Sequence, residues 1–308
     1  MSDTKEFDLT YTGISLSSTG VAALSTVIGE LAEKNIDHTV VYFWEENEWS
    51  FYKTPKAITS INWPNNTTNQ TYCLSADGYF ITVTDDDENS IQIDDGIEGP
   101  SDLVIMKELR LIGDDYFAVG MARHAYRSKA PQAIWHSIDT ECFVPRSKRN
   151  KVIGFTSIDG FNAKECYAVG YDGEIWRYDG HGWHQEQSPT NVLLSKVVCD
   201  RHTGIVWIVG LAGTVVLGRH NEWRIFPQNS TSNDFWGVEA FAESVFLSGD
   251  SGVYKVDDEN LIKCRLDKRR RKWTTSYLAE NSRELWSVGD KDIYRTSDGQ
   301  IWERLPAP

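Results

Sequence analysis

Forty-five acidic residues, seven histidines and a Gly-Asp-Ser-Gly string are the first places to look for chemistry in this 308-residue chain. Glycoside hydrolysis needs two carboxyl groups facing each other across the scissile bond. The acids are abundant, but no local pattern marks a pair. His181-Gly-Trp-His184 sets two imidazoles beside one turn. On an outer hairpin tip this reads as a solvated polar loop, because a zinc site needs three or four convergent donors. His124 and His136 are separated by an insertion and imply no shared ligand. Gly249-Asp-Ser-Gly252 has the letters of a serine-protease string, but Ser251 falls at an ordinary turn of a repeat described below. No glycine-rich phosphate loop of standard spacing occurs. The sequence therefore offers no catalytic residues, no metal ligands and no cofactor motif.

The elements that would have to position any such groups are better marked. Forty per cent of the residues are apolar, with 12 Trp and 13 Tyr, enough for a large core and favourable to strands. A formal charge of −14 argues against general nucleic-acid binding, since a phosphate backbone repels such a surface. The first residues, MSDTKEFDLT, lack the basic-then-apolar pattern of a secretory signal. No run of apolar residues is long enough to span a membrane. Five dispersed cysteines without a CxxC read as reduced, buried thiols, which predicts a cytoplasmic location.

A repeat decides the fold. Val-Gly closes an apolar run at Val119-Gly120, Val169-Gly170, Val209-Gly210 and Val288-Gly289, and Ser248-Gly249 fills the same slot, so the glycines stand 50, 40, 39 and 40 residues apart. An alternating run precedes each slot (GFTSI, LLSKVVC, FWGVEAF, WTTSYLA). Two further runs follow it, as in GEIWRYD and GWHQEQSP. Four short strands per roughly forty residues is the signature of a β-propeller, whose sheets bury their faces only by packing around an axis. The predicted fold is all-β: a single propeller over 1–308 with seven four-stranded blades, six being the alternative. The blades fall at about 1–55, 57–98, 101–145, 151–189, 190–228, 230–266 and 268–306. In the first, STGVAALSTVIGELAEKN places Val21, Leu24, Val27, Ile28 and Leu31 at helical spacing. This predicts one N-terminal amphipathic helix, either capping a sheet surface or docking a partner.

AVGYDGEIWRYDGHGW and SVGDKDIYRTSDGQIWERLP resemble the repeats of BNR/Asp-box and photosystem II assembly-factor-like propellers. The resemblance covers 150–306 well and 1–150 loosely. It implies fold rather than function, because such repeats serve hydrolases, assembly factors and binding modules alike. Ser297, Asp298, Gly299 and Trp302 approach an Asp-box, one residue off the usual spacing. That box is a folding turn. The arginine cluster, tyrosine nucleophile and acid of a sialidase-like propeller have no recognisable local motif here.

In a propeller, turns between strands two and three and the links between blades emerge on one face, and the remaining turns on the other. By this rule Arg146, Lys148, Arg149 and Lys151 share a face with Lys268, Arg269, Arg270, Arg271 and Lys272. Arg123, Arg127 and Lys129, in a long two-to-three insertion, join them. Glu45-Glu46, Asp85-Asp86-Asp87, Asp114-Asp115 and Asp257-Asp258 emerge opposite. The expectation is a disc with one basic and one acidic face, binding through Arg123, Arg127, Arg149 and Arg269 to Arg271, or through Glu45, Glu46, Asp85 to Asp87, Asp257 and Asp258. The alternative is that each run is a solvated loop.

Four function classes follow. The favoured one is a non-catalytic protein-binding module, monomeric on its own, in its concrete form a cytoplasmic immunity protein that masks a secreted bacterial toxin such as a basic nuclease. The others are an assembly factor or scaffold, a carbohydrate-active or glycan-binding propeller, and phosphate or nucleic-acid recognition by the basic face.

Overall fold

The computed structural model describes residues 8–64, 70–84, 86–100, 105–129, 134–228, 230–266 and 273–308. Seven antiparallel four-stranded sheets, each in simple up-and-down order, span 9–54, 58–92, 106–137, 155–186, 194–225, 235–263 and 277–304. We call them blades 1 to 7. The first strand of each blade packs on the first strands of its neighbours, and that of blade 7 packs on that of blade 1, so the ring closes. The expected all-β propeller of seven blades is what the chain forms.

Both faces of every sheet are apolar, and one hydrophobic cluster fills each gap between neighbouring blades. Phe155, Trp176 and Trp183 of blade 4, for example, pack on Phe117 and Val119 of blade 3. The seam between blades 7 and 1 shares no strand. It is held by Trp286, Val288 and Leu305 against Tyr11, Leu24 and Trp44. Hydrogen bonds also cross it, among them those from Asn281 Nδ2 to the Ser17 carbonyl (2.9 Å), from Trp49 Nε1 to the Pro306 carbonyl (3.2 Å) and from the Tyr11 N–H to the Asp290 carbonyl (3.3 Å).

Two sequence expectations fail in informative ways. The N-terminal amphipathic helix is instead the second strand of blade 1, Ala22–Ile28, followed by a single helical turn at Gly29–Ala32. Blades 7 and 2 flank this strand, so it is buried on both faces. A continuously apolar run then satisfies helical spacing by accident. The preceding Leu9–Leu16 is the innermost strand of the same blade. In blade 3 the insertion is not between strands two and three, because Ala125–Ser128 is itself the third strand, laddered on Tyr116 to Val119. The insertion lies in the three-to-four turn, before the His136–Ser137 strand.

The near-Asp-box does act as a folding turn. Asp298 Oδ1 accepts the backbone N–H groups of Gln300 and Ile301 at 2.8 Å each, and these bonds hold its pKa below the ordinary carboxylate value.

Candidate functional site: the axial channel and the two faces

A ring of first strands leaves a channel at the axis, with a cavity of about 950 Å³. Equal positions in the repeat stand at equal height in the ring, so positions count from the first residue of each inner strand: Ile58, Met106, Phe155, Leu194 and Phe235 in blades 2 to 6. The third and fifth positions supply most of the charge. At the third, Glu108 of blade 3 pairs with Lys196 of blade 5. At the fifth, Arg110 lies 3.5 Å from Asp159 of blade 4 and 3.4 Å from Glu239 of blade 6. Arg201 approaches Asp159 from the next turn, at 3.6 Å.

The acids also stitch blades together through the backbone. Glu108 Oε2 accepts the N–H of Ile158 (2.9 Å), and Asp159 Oδ2 accepts that of Cys199 (2.8 Å). Burial raises the pKa of Glu239 in spite of Arg110 and Lys196.

Glu280 ends the inner strand of blade 7 and lines the same channel, its carboxylate making no hydrogen bond or ion pair among the described residues. Enclosure by the channel walls, then the nearby charges of Glu239 and Asp159, push its pKa up to about 7 against Arg110 and Arg201. A carboxyl raised in the folded state stabilises it fully below the ordinary value of about 4.5, and that contribution fades as pH climbs to about 7. Glu280 faces channel water, so screening reduces the effect to about 1 kcal/mol. E280Q should therefore be about 1 kcal/mol more stable than the parent at pH 8 and equal to it near pH 4.5 in urea titrations.

At the link-side mouth stand Tyr171, Trp236 and Tyr277, with Asp250, Asp290 and Lys107. Trp236 Nε1 donates to Asp250 Oδ1 at 2.8 Å. Burial, then the Asp290 charge, raises the Tyr277 phenol's pKa. Burial lowers that of Lys107. Sequence reading missed all of these residues.

The charged loops are placed as follows. Arg123 sits in a two-to-three turn, donating Nε to Glu174 Oε2 (2.7 Å) with its guanidinium 4.9 Å from the Trp176 ring centroid. It joins blades 3 and 4. Arg127 is on a strand and reaches toward the opposite face, bonding Asp115 through Nε at 2.8 Å. Arg149 lies in a link, donating to the Val144 carbonyl at 2.8 Å. Arg269, Arg270, Arg271 and Asp85 lie outside the described residues. Glu45, Glu46, Asp86, Asp87, Asp257 and Asp258 are exposed in three-to-four turns. Those of blades 1 and 2 adjoin, and those of blade 6 are separated from them by blade 7.

Neither face carries one sign. On the link face Asp77 pairs with Lys56, Asp172 with Lys151 and Asp8 with Lys291. On the hairpin face Arg219 pairs with Glu165. Among the described residues, single partners of opposite sign are thus scattered through the turns beside the runs of like charge. The histidine pair is likewise a local turn: His184 Nε2 bonds Asp179 Oδ2 at 2.8 Å. All five thiols are free, four of them buried. Among the described residues no helix is long and apolar enough to cross a membrane.

No protein-family model matches the chain. Among solved structures, YCF48 from Cyanidioschyzon merolae superimposes with a TM-score of 0.57 over 82% of this chain and 85% of its own, at 13% identity. YCF48 bound to D1 peptide gives a TM-score of 0.60 over 81% of this chain and 80% of its own, also at 13% identity. These likenesses bear on the fold alone, and they agree with the expected similarity to photosystem II assembly-factor propellers. A curated relative reaches further. The immune protein Tsi7 of Pseudomonas aeruginosa is 31% identical over 290 residues, 92% of this chain and 93% of its own length. With that identity running through nearly all seven blades, the chain belongs to the family of the immune protein Tsi7.

Proposed function

We propose that this protein is an immunity protein: it binds a toxin and neutralises it by occupying its surface, with no turnover of its own. The observation that carries this reading is the 31% identity to the immune protein Tsi7 across 92% of the chain. A rigid ring with loops on two faces suits binding, because little ordering entropy is lost when a partner docks. The charge of −14 favours a basic toxin, drawn in by long-range attraction. Free thiols suit the reducing cytoplasm, where a toxin delivered from outside or made by the cell itself would act.

The test is co-expression with the product of the adjacent reading frame in a heterologous bacterium. The frame should encode a large secreted protein whose C-terminal domain kills on its own. Viable counts should return to the toxin-free level when this chain is present, and the two proteins should co-elute. Continued killing, or a neighbour that is not toxic, would overturn the reading.

A further inference from the structure

One position of the repeat is occupied in two incompatible ways. In blades 2 to 6 the ladder between first and second strands slips by a residue at the second position of the inner strand, leaving Thr59, Lys107, Thr156, Ser195 and Trp236 bulged. Such bulges re-aim a side chain. Where the residue is Ser or Thr, the hydroxyl is structural. Thr59 donates to the carbonyl of Leu74, Thr156 to those of Val169 and Leu194, and Ser195 to those of Val209 and Phe235, at 2.6 to 3.1 Å. In blades 4 and 5 this ties each blade to the next. Blades 3 and 6 give up that bond. They place a lysine and a tryptophan at the same height, on opposite sides of the channel mouth.

Trp236 is 38% exposed at a position where blades 4 and 5 carry a hydroxyl bonded to the next blade. Its indole is not loose, since Asp250 holds the N–H. Beyond the paired network lower down, the described wall carries three carboxylates, Asp250, Glu280 and Asp290, against the single cation Lys107. Asp290 and Lys107 make no hydrogen bond or ion pair through their side chains among the described residues. An oriented aromatic face beside unneutralised carboxylates suits a guanidinium or ammonium group.

We propose that the link-side mouth of the channel receives a loop of the protein partner led by an arginine or lysine, whose cation lies between the Trp236 ring and the carboxylates of Asp250 and Asp290. The inference rests on the immunity reading and names the partner chemistry and the face it uses. Lys107, across the mouth, meets carbonyl or carboxylate oxygens of the same loop. Exposed aromatics in pre-organised pockets are where binding energy concentrates.

The experiment measures affinity for the toxin domain encoded beside the gene, using the parent chain, W236T and D290N, with thermal melts of each. W236T restores the residue type used in blades 2 and 4, so it should melt at or above the parent temperature and yet bind at least about tenfold more weakly. D290N should also bind more weakly, and its affinity should depend less on salt. If the parent binds the toxin and both folded variants bind equally well, the mouth is not the receptor and the immunity reading stands. If the folded parent does not bind the toxin, the immunity reading falls and this assignment with it.

Discussion

Replacing Arg110 by methionine should destabilise the propeller by about 4 kcal/mol, read as a drop in the urea midpoint at unchanged slope. Its guanidinium lies 3.5 Å from Asp159 and 3.4 Å from Glu239, whose side chains are 0% and 5% exposed. Methionine fills the space but strands both carboxylates, and breaking a buried pair from one side costs more than the pair contributes. Glu239 already has a raised pKa in the parent because burial outweighs its cations. Without Arg110 it rises further. Because stability from a raised carboxyl is present at low pH and lost as pH rises through the folded value, the R110M deficit should be larger at pH 8 than at pH 5. Lysine should rescue only in part, as it has no fork to reach two carboxylates on different blades. The double variant R110M/E239Q should recover part of the loss. If R110M unfolds at the parent midpoint, the network is not a structural tie.

How much of this was legible in the sequence varied with the kind of constraint. The blade period was plain because in blades 3 to 7 the second strand passes close to the entry of its own first strand, which forces glycine into that slot. Blade 1 hid because its second strand, buried like those of the other blades, carries Thr26 where blades 3 to 7 carry the marking glycine. Arg110, Asp159 and Glu239 lie in three different blades, and no local motif links them. They share one feature, the fifth position of the inner strand, which becomes informative once the ring is known to set equal positions at equal height. The mouth residues were nearer to hand. Setting ITSI, MKEL, FTSI, LSKV and FWGV under one another shows Thr, Lys, Thr, Ser and Trp in the second column. The two departures, Lys107 and Trp236, are among the residues that line the mouth. Reading the runs for their strand pattern alone passed over that column.

The glycine slot gives the other large effect. At Gly170 an added Cβ would stand 2.0 Å from the carbonyl oxygen of Gly154, and at Gly249 it would stand 2.1 Å from that of Asp234. Both obstacles are backbone at the entry of the blade's own first strand, so no side-chain rotation relieves them. G170A should therefore cost about 3 kcal/mol, at the upper end of ordinary overpacking. The cause is space and not backbone conformation, because φ at Gly170 is −175°. Two other occupants of the slot test that distinction. In blade 2 the slot holds Ser75, which pairs with Ile58 across the ladder and carries its Cβ without difficulty. In blade 1 it holds Thr26, which pairs with Tyr11 across the ladder; Gly29 lies three residues beyond the slot, where the nearest atom to a new Cβ is the Asp8 carboxylate at 3.1 Å. G29A should fall within about 0.5 kcal/mol of the parent. A loss at Gly29 equal to that at Gly170 would mean that the glycine serves the chain before folding, through its freedom in the unfolded state, and not the close passage of two backbones beside the axis.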